Sequence, residues 1–241
     1  MRLVPIAAAF ALAGITTVTQ AASVTNATFV NGLALDGAAT DLSTGTATER
    51  RLGYFSDLYY DPTRKEWWGL SDRGPGGGLL NYETRVQRFT LDVAPNGAIS
   101  NFQVAATIKF TEGGVPLNGL APAASASLGR SFDPEGFVIN PRTGNLLVSD
   151  EYGPSLMEFD RSGNLLRRYA VPANLVPKVS GTTNYNALPG TGGLTSGREP
   201  NRGLEGLAIS PDGRYAYAVL QNGTIEDGWT ADSRGQYSRI I

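Results

Sequence analysis

Neither histidine nor cysteine occurs in the 241 residues. A Ser-His-Asp triad, a histidine phosphoenzyme, His-ligated zinc and a cysteine nucleophile are therefore excluded within this chain. The chemistry left is that of carboxylates, arginines, lysines, tyrosines and hydroxyls, and the natural partner of clustered carboxylates is a hard cation such as calcium. Two stretches carry such groups in the same order: Arg130-Ser131-Phe132-Asp133-Pro134-Glu135-Gly136 and Arg198-Glu199-Pro200-Asn201-Arg202-Gly203-Leu204-Glu205-Gly206. In each, an arginine in a glycine- or proline-marked loop precedes Glu-Gly at the start of an apolar run. If each run is the innermost strand of its repeat, Glu135 and Glu205 both point near the mouth of a central channel and can converge on one ion. Arg130 and Arg202 then supply planar forks for a phosphate oxyanion. The plainer alternatives are a solvated glutamate with glycine serving the turn, or an internal Arg-Glu pair in each loop.

A second recurring pair is Ser71-Asp72-Arg73-Gly74-Pro75 and Ser149-Asp150-Glu151-Tyr152-Gly153-Pro154. Ser-Asp at a strand end commonly satisfies turn backbone groups, and Asp72 reads that way. The adjoining carboxylates of Asp150 and Glu151 read as site residues. The expected site thus has Glu135, Glu205 and Asp150 as catalytic groups, and Glu135, Asp150, Glu151 and Glu205 as calcium ligands. Arg73, Arg130 and Arg202 are the expected substrate-binding residues. Tyr59, Tyr60, Trp67 and Trp68 read as packing residues.

Strands joined by short turns must position these groups. Three segments share a pattern, 56–62, 135–141 and 205–211: a polar or acidic pair, an apolar run, then a proline turn. A following strand is expected at 67–71, 145–149 and 214–220, after turns such as Arg142-Thr143-Gly144-Asn145 and Asp212-Gly213. A further hairpin follows in two repeats, around Pro95-Asn96-Gly97 and Arg161-Ser162-Gly163-Asn164. Four antiparallel strands per repeat, each repeat burying its faces against neighbours, describe an all-β chain of β-propeller blades rather than a β-sandwich. At roughly 40 to 50 residues per blade the chain supplies three to four blades, an incomplete ring. Residues 237–241 read as the opening of another strand.

Residues 1–22 read as a secretory leader: Arg2, an apolar run over 3–15, and small residues around 19–22. The run is too short to span a bilayer, and no later segment qualifies as a transmembrane helix. Residues 23–241 read as one domain in an extracytoplasmic protein, periplasmic or secreted. Losing Arg2 moves the formal charge from -2 to -3, and mild acidity argues against a nucleic-acid partner. Stability rests on core burial, since disulfides are excluded.

Over residues 71–75, 132–136, 149–154, 201–206 and 210–213 the sequence resembles the phytase-like family, described as having esterase-like activity of phytase. The resemblance implies an exported, propeller-like protein acting on a small-molecule ester, with phosphoester hydrolysis leading. Members of that family run longer, so the chain reads as a partial member. The Glu-Gly strand starts are also similar to those of calcium-dependent lactonases of the gluconolactonase and regucalcin type. A lactonase or carboxylesterase, and a non-catalytic ligand-binding propeller, are therefore the competing functions.

Overall fold

The computed structural model describes residues 28–53, 55–123, 126–228 and 237–241; the expected leader lies outside the described residues. The described chain is almost entirely β. Its strands are β1 (Phe55–Asp61), β2 (Glu66–Ser71), β3 (Arg85–Val93), β4 (Ile99–Lys109), β5 (Thr111–Glu112), β6 (Val115–Pro116) and β7 (Pro134–Ile139). They continue as β8 (Leu146–Asp150), β9 (Ser155–Phe159), β10 (Leu165–Arg168), β11 (Lys178–Val179), β12 (Thr182–Thr183), β13 (Leu204–Ile209) and β14 (Ala216–Leu220). A single 3-10 turn at Ile225–Asp227 is the helical element among the described residues.

Two antiparallel four-stranded sheets, with strand orders β1-β2-β3-β4 and β7-β8-β9-β10, match the two complete expected repeats. The third repeat forms the hairpin β13-β14. Residues 239–241 then run antiparallel to β14, exchanging hydrogen bonds between Ala218 and Ile241. The expected strand at 237–241 thus has its pairing partner. Turn chemistry sets these connections: Gly97, Gly144, Gly163 and Gly213 all adopt positive φ, the left-handed conformation that glycine enters without a Cβ clash. Gly113 and Gly114, both at positive φ, form the tip of the β5-β6 hairpin.

The sheets stack through alternating side chains. Trp68 and Leu70 of β2, Phe137 and Ile139 of β7, Leu146 and Val148 of β8, and Met157 and Phe159 of β9 are all buried in one cluster between the first two sheets. This period of two is the pleat itself. Phe110 joins Phe132 edge-on at 5.7 Å and Phe159 at 4.5 Å between ring centroids. Each such ring contributes about 1.5–3 kcal/mol by leaving water. A smaller cluster of Leu175, Leu204, Ala218 and Leu220 closes the opposite face of the second sheet. Because β8 is covered on both sides, all five of its residues are buried.

The first strand of each repeat meets its counterparts side by side, with β7 packed against both β1 and β13. Each of these strands carries a β-bulge at the same place: at Ser56 in β1, at Glu135-Gly136 in β7 and at Glu205-Gly206 in β13. A bulge leaves one residue unpaired and re-aims its side chain. The freed Gly136 N–H donates to Ser149 Oγ at 2.8 Å, and that hydroxyl donates onward to the Glu205 carbonyl at 2.8 Å. Phe137 N–H donates across to Asp57 Oδ2 at 2.7 Å. The three repeats are thus tied together through the residues next to the glutamates.

Candidate functional site

The three bulges aim side chains at a common place. Ser56 of β1 hydrogen-bonds the Glu135 carboxyl of β7, and Glu205 of β13 lies near enough to Glu135 to repel its charge. The loop after β2 brings in Asp72 and Arg73, the segment before β7 brings Asp133, and the end of β8 brings Glu151. One oxygen each from Asp72, Asp133 and Glu135 lies within 4.8 Å of the other two. An ion bound at about 2.3–2.6 Å from oxygen would span ligands up to roughly 5 Å apart, so the three fit a shared hard cation.

Arg73 occupies the middle of this cluster. Its Nη1 donates to Asp133 Oδ2, to Glu151 Oε2 at 3.3 Å and to Asn201 Oδ1. Its guanidinium lies 5.9 Å from the Tyr152 ring centroid. The loops approach so closely that two positions exclude any side chain. A Cβ on Gly119 would lie 1.9 Å from the Arg73 carbonyl oxygen, and one on Gly203 would lie 2.1 Å from that of Glu151.

A single arginine does not neutralise the assembly. Burial pushes Asp133 up to about 10 against the pull of Arg73, and neighbouring Glu135 and Glu151 add repulsion. Burial first, then Asp72, Glu205 and Glu151, raises Glu135 to about 8. Glu151 rises to about 7 by burial, with a side-chain hydrogen bond to Asp133 opposing it, Glu205 adding repulsion, and Arg73 and Arg198 pulling it down. Glu205 is raised by burial and Asp72, with Arg202 and Arg73 opposing. Asp133 Oδ1 and Glu151 Oε1 are buried with no hydrogen-bond partner. Buried carboxylate oxygens are ordinarily bonded, so this pair is satisfied either by a proton shared between Asp133 and Glu151 or by a cation in its place.

The structure brings together Arg73, Glu135, Glu151, Glu205 and Arg202 of the expected set. Asp150 adjoins them but is turned inward: its fully buried carboxylate accepts from the N–H groups of Asp133, Tyr152 and Gly153 and from Ser155 Oγ, at 2.9–3.1 Å. Those bonds hold the turn that presents Glu151. Arg130 is exposed and lines a separate surface hollow beside Asn81 and Asn118. Arg198, which opens the second stretch, is only 2% exposed and donates to the carbonyls of Tyr152, Tyr185 and Glu199. It ties loops together.

Two carboxylates of the cluster, Asp72 and Asp133, were not among the ligands expected from the sequence. Asp133 stands two residues before Glu135, a spacing that puts both on one side of extended chain, and this was the available signal. Asp72 had the same Ser-Asp pattern as Asp150, and the pattern does not say which of the two turns inward. Asn201 was also missed. Its φ of 52° is a left-handed conformation that asparagine tolerates better than most residues, and it delivers Oδ1 to Arg73.

These features belong to a recognisable class of β-rich proteins. A family model described as "Phytase-like: Esterase-like activity of phytase" matches residues 50–241, and the chain belongs to that family. A relative from Arthroderma benhamiae, described as an uncharacterized secreted protein, is 29% identical over 221 residues, covering 72% of this chain and 43% of the relative. The chain therefore spans under half the length of that curated relative. A solved structure assigned as a 6-phosphogluconolactonase from Bacteroides uniformis overlays with a TM-score of 0.32 at 15% identity, covering 77% of this chain and 56% of the other. That overlap is too loose to bear on function. Among the described residues no helix is long and apolar enough to cross a membrane.

Proposed function

We propose that the chain is an exported, calcium-dependent phosphoester hydrolase whose three repeats are blades of a β-propeller, with β1, β7 and β13 nearest the axis. The observation that carries this reading is the pair of buried, unpartnered oxygens, Asp133 Oδ1 and Glu151 Oε1, beside the Asp72-Asp133-Glu135 cluster. The charge balance supports it. Asp72, Asp133, Glu135, Glu151 and Glu205 crowd around Arg73, with Arg202 beside Glu205 and Arg198 near Glu151 and Asp133. Burial and crowding hold Asp133, Glu135, Glu151 and Glu205 above the ordinary carboxyl range, a strain that a bound cation would relieve. The secreted relative and the leader-like residues 1–22 support export.

In this reading Asp72, Asp133, Glu135 and Glu151 hold the ion, which when bound supplies positive charge to phosphoryl oxygens. Arg73 and Arg202 orient the phosphoryl group through charge-assisted hydrogen bonds. Glu205, raised in pKa and on the exposed side of the cluster, accepts the proton of the attacking water. Asp150 acts as a positioning residue, fixing the turn that carries Glu151. Arg130 would bind a substrate only through parts extending away from the cluster.

The test is hydrolysis by the purified chain of phosphomonoester, lactone and carboxylester panels, with calcium or with chelator. Phosphomonoester turnover that needs calcium, falls about 10²-fold or more in Glu205→Gln, and shows weaker phosphate inhibition in Arg202→Lys is expected. Calcium-dependent turnover confined to lactones would transfer the site to the competing esterase chemistry.

A further inference from the structure

A small cavity of about 140 Å³ opens beside the carboxylate cluster, walled by Tyr152, Tyr185, Leu188, Pro200 and Asn201 with Arg198 at its base. Two of its walls are also the wall of the site. Asn201 accepts from Arg73, and the Tyr152 ring lies 5.9 Å from the Arg73 guanidinium. A group held at Arg73 therefore has this hollow as its neighbour.

The chemistry of the walls restricts what can enter. Tyr152, Tyr185, Leu188 and Pro200 offer ring faces and aliphatic surface. The one charged residue in the lining is Arg198, and four of its N–H directions are taken by main-chain carbonyls: two by Tyr152 and one each by Glu199 and Tyr185. Its remaining field is answered by Asp150, Glu151 and Asp133 close by. A second phosphate would therefore find no available cation here, and a desolvated anion without a partner is excluded on energetic grounds. The hollow holds room for about one ring against the tyrosines and opens to solvent past the exposed Leu188.

Resting on the phosphoester reading above, we propose that this cavity receives the alcohol portion of the substrate and selects a small, uncharged group, one ring or a short chain, against polyphosphorylated alcohols. Tyr152 and Tyr185 provide the ring-stacking surfaces, and Asn201 couples occupancy of the pocket to Arg73. Tyr152 is fixed by its hydroxyl donating to the Gly119 carbonyl at 3.0 Å, which makes Tyr185 and Leu188 the side chains that can be altered without disturbing the cluster.

The test uses non-hydrolysable phosphonates with the calcium-loaded protein, measured by calorimetry, and phosphomonoester turnover in parallel. Phenylphosphonate is expected to bind about tenfold more tightly than methylphosphonate, and Tyr185→Ala to remove most of that difference while leaving methylphosphonate affinity unchanged. Leu188→Arg, on an exposed side chain, is expected to lower kcat/KM for phenyl phosphate and raise it for inositol hexakisphosphate. Equal affinity for the two phosphonates in the wild type, or a native preference for inositol hexakisphosphate over phenyl phosphate, would overturn the pocket assignment and leave the phosphoester reading intact. Failure of any phosphonate to bind, with no phosphoester turned over, would overturn both.

Discussion

Two neighbouring carboxyls in this molecule have opposite internal economies. Asp150 is buried and its carboxyl is raised by that burial, but four hydrogen bonds oppose the shift and hold the side chain in place. Glu135 has Ser56 as its hydrogen-bond partner and is surrounded by Asp72, Glu205 and Glu151. Removing charge at the two positions should therefore act in opposite directions. Asp150→Asn places an amide against backbone donors and should cost about 1–3 kcal/mol of stability with or without calcium. Glu135→Gln should leave the calcium-free protein as stable or more so, and should abolish most of the stabilisation that calcium confers. Thermal melts of both variants, with chelator and with millimolar calcium, separate these outcomes. Equal loss of stability in both would mean that Glu135 is held by internal bonds like Asp150.

At the scale of the strand, the Glu-Gly pair serves two purposes, and only the glutamate concerns chemistry. Gly136 lets β7 approach β13: a Cβ there would lie 2.5 Å from the Glu205 carbonyl oxygen and 2.7 Å from Leu207 Cβ. Gly206 holds the same place in the third repeat, but the nearest atom to a Cβ there is Val219 Cβ at 3.9 Å. Gly136→Ala should therefore destabilise by about 1–3 kcal/mol through backbone displacement, while Gly206→Ala should stay within about 0.5 kcal/mol of wild type. Denaturant melts of the pair check this directly. The bulge is the reason the motif repeats, since it turns Glu135 and Glu205 out of the ladder and leaves the adjacent N–H groups for cross-sheet bonds such as Gly136 to Ser149. Neutral effects at both glycines would break the link between the motif and strand packing.

For the molecule as a whole, the cluster couples folding to pH. Glu135 and Asp133 have folded-state values of about 8 and about 10, well above the ordinary carboxyl range of about 4. Between those limits the folded chain binds more protons than the unfolded one, so the associated stability is present in full at acidic pH and is lost as pH rises through about 8. Without calcium, the melting temperature should fall between pH 5 and 8, by on the order of 2–4 °C for each kcal/mol lost. Saturating calcium should flatten the slope, because a bound cation neutralises the ligands and displaces their protons. Calorimetric scans across that range, with and without calcium, measure both slopes. A calcium-free protein that becomes more stable as pH rises would contradict the crowding of negative charge on which the site is argued.

The sequence by itself determined the chemistry available and the repeating unit. Without histidine or cysteine, only oxygen ligands and arginine forks remained. The alternating apolar residues of β2, β7, β8 and β9 and the glycine turns at 97, 144, 163 and 213 fixed strands and hairpins locally, because pleat and positive φ are properties of the residues themselves. Glu135, Glu205, Glu151, Arg73 and Arg202, which the structure places near one another, stood out because the Glu-Gly strand start and the Ser-Asp strand end recur between repeats. Only the tertiary structure decided which repeated residues face the site and which hold it together. Asp150 turned inward and Asp72 turned toward Asp133, although both follow serine at a strand end. Arg198 went to main-chain carbonyls and Arg130 to a separate surface. The physical reason is that a carboxylate's or guanidinium's role depends on which unsatisfied groups the neighbouring sheet brings within 3 Å, and that register is set by contacts as distant in sequence as Ser149 and Glu205.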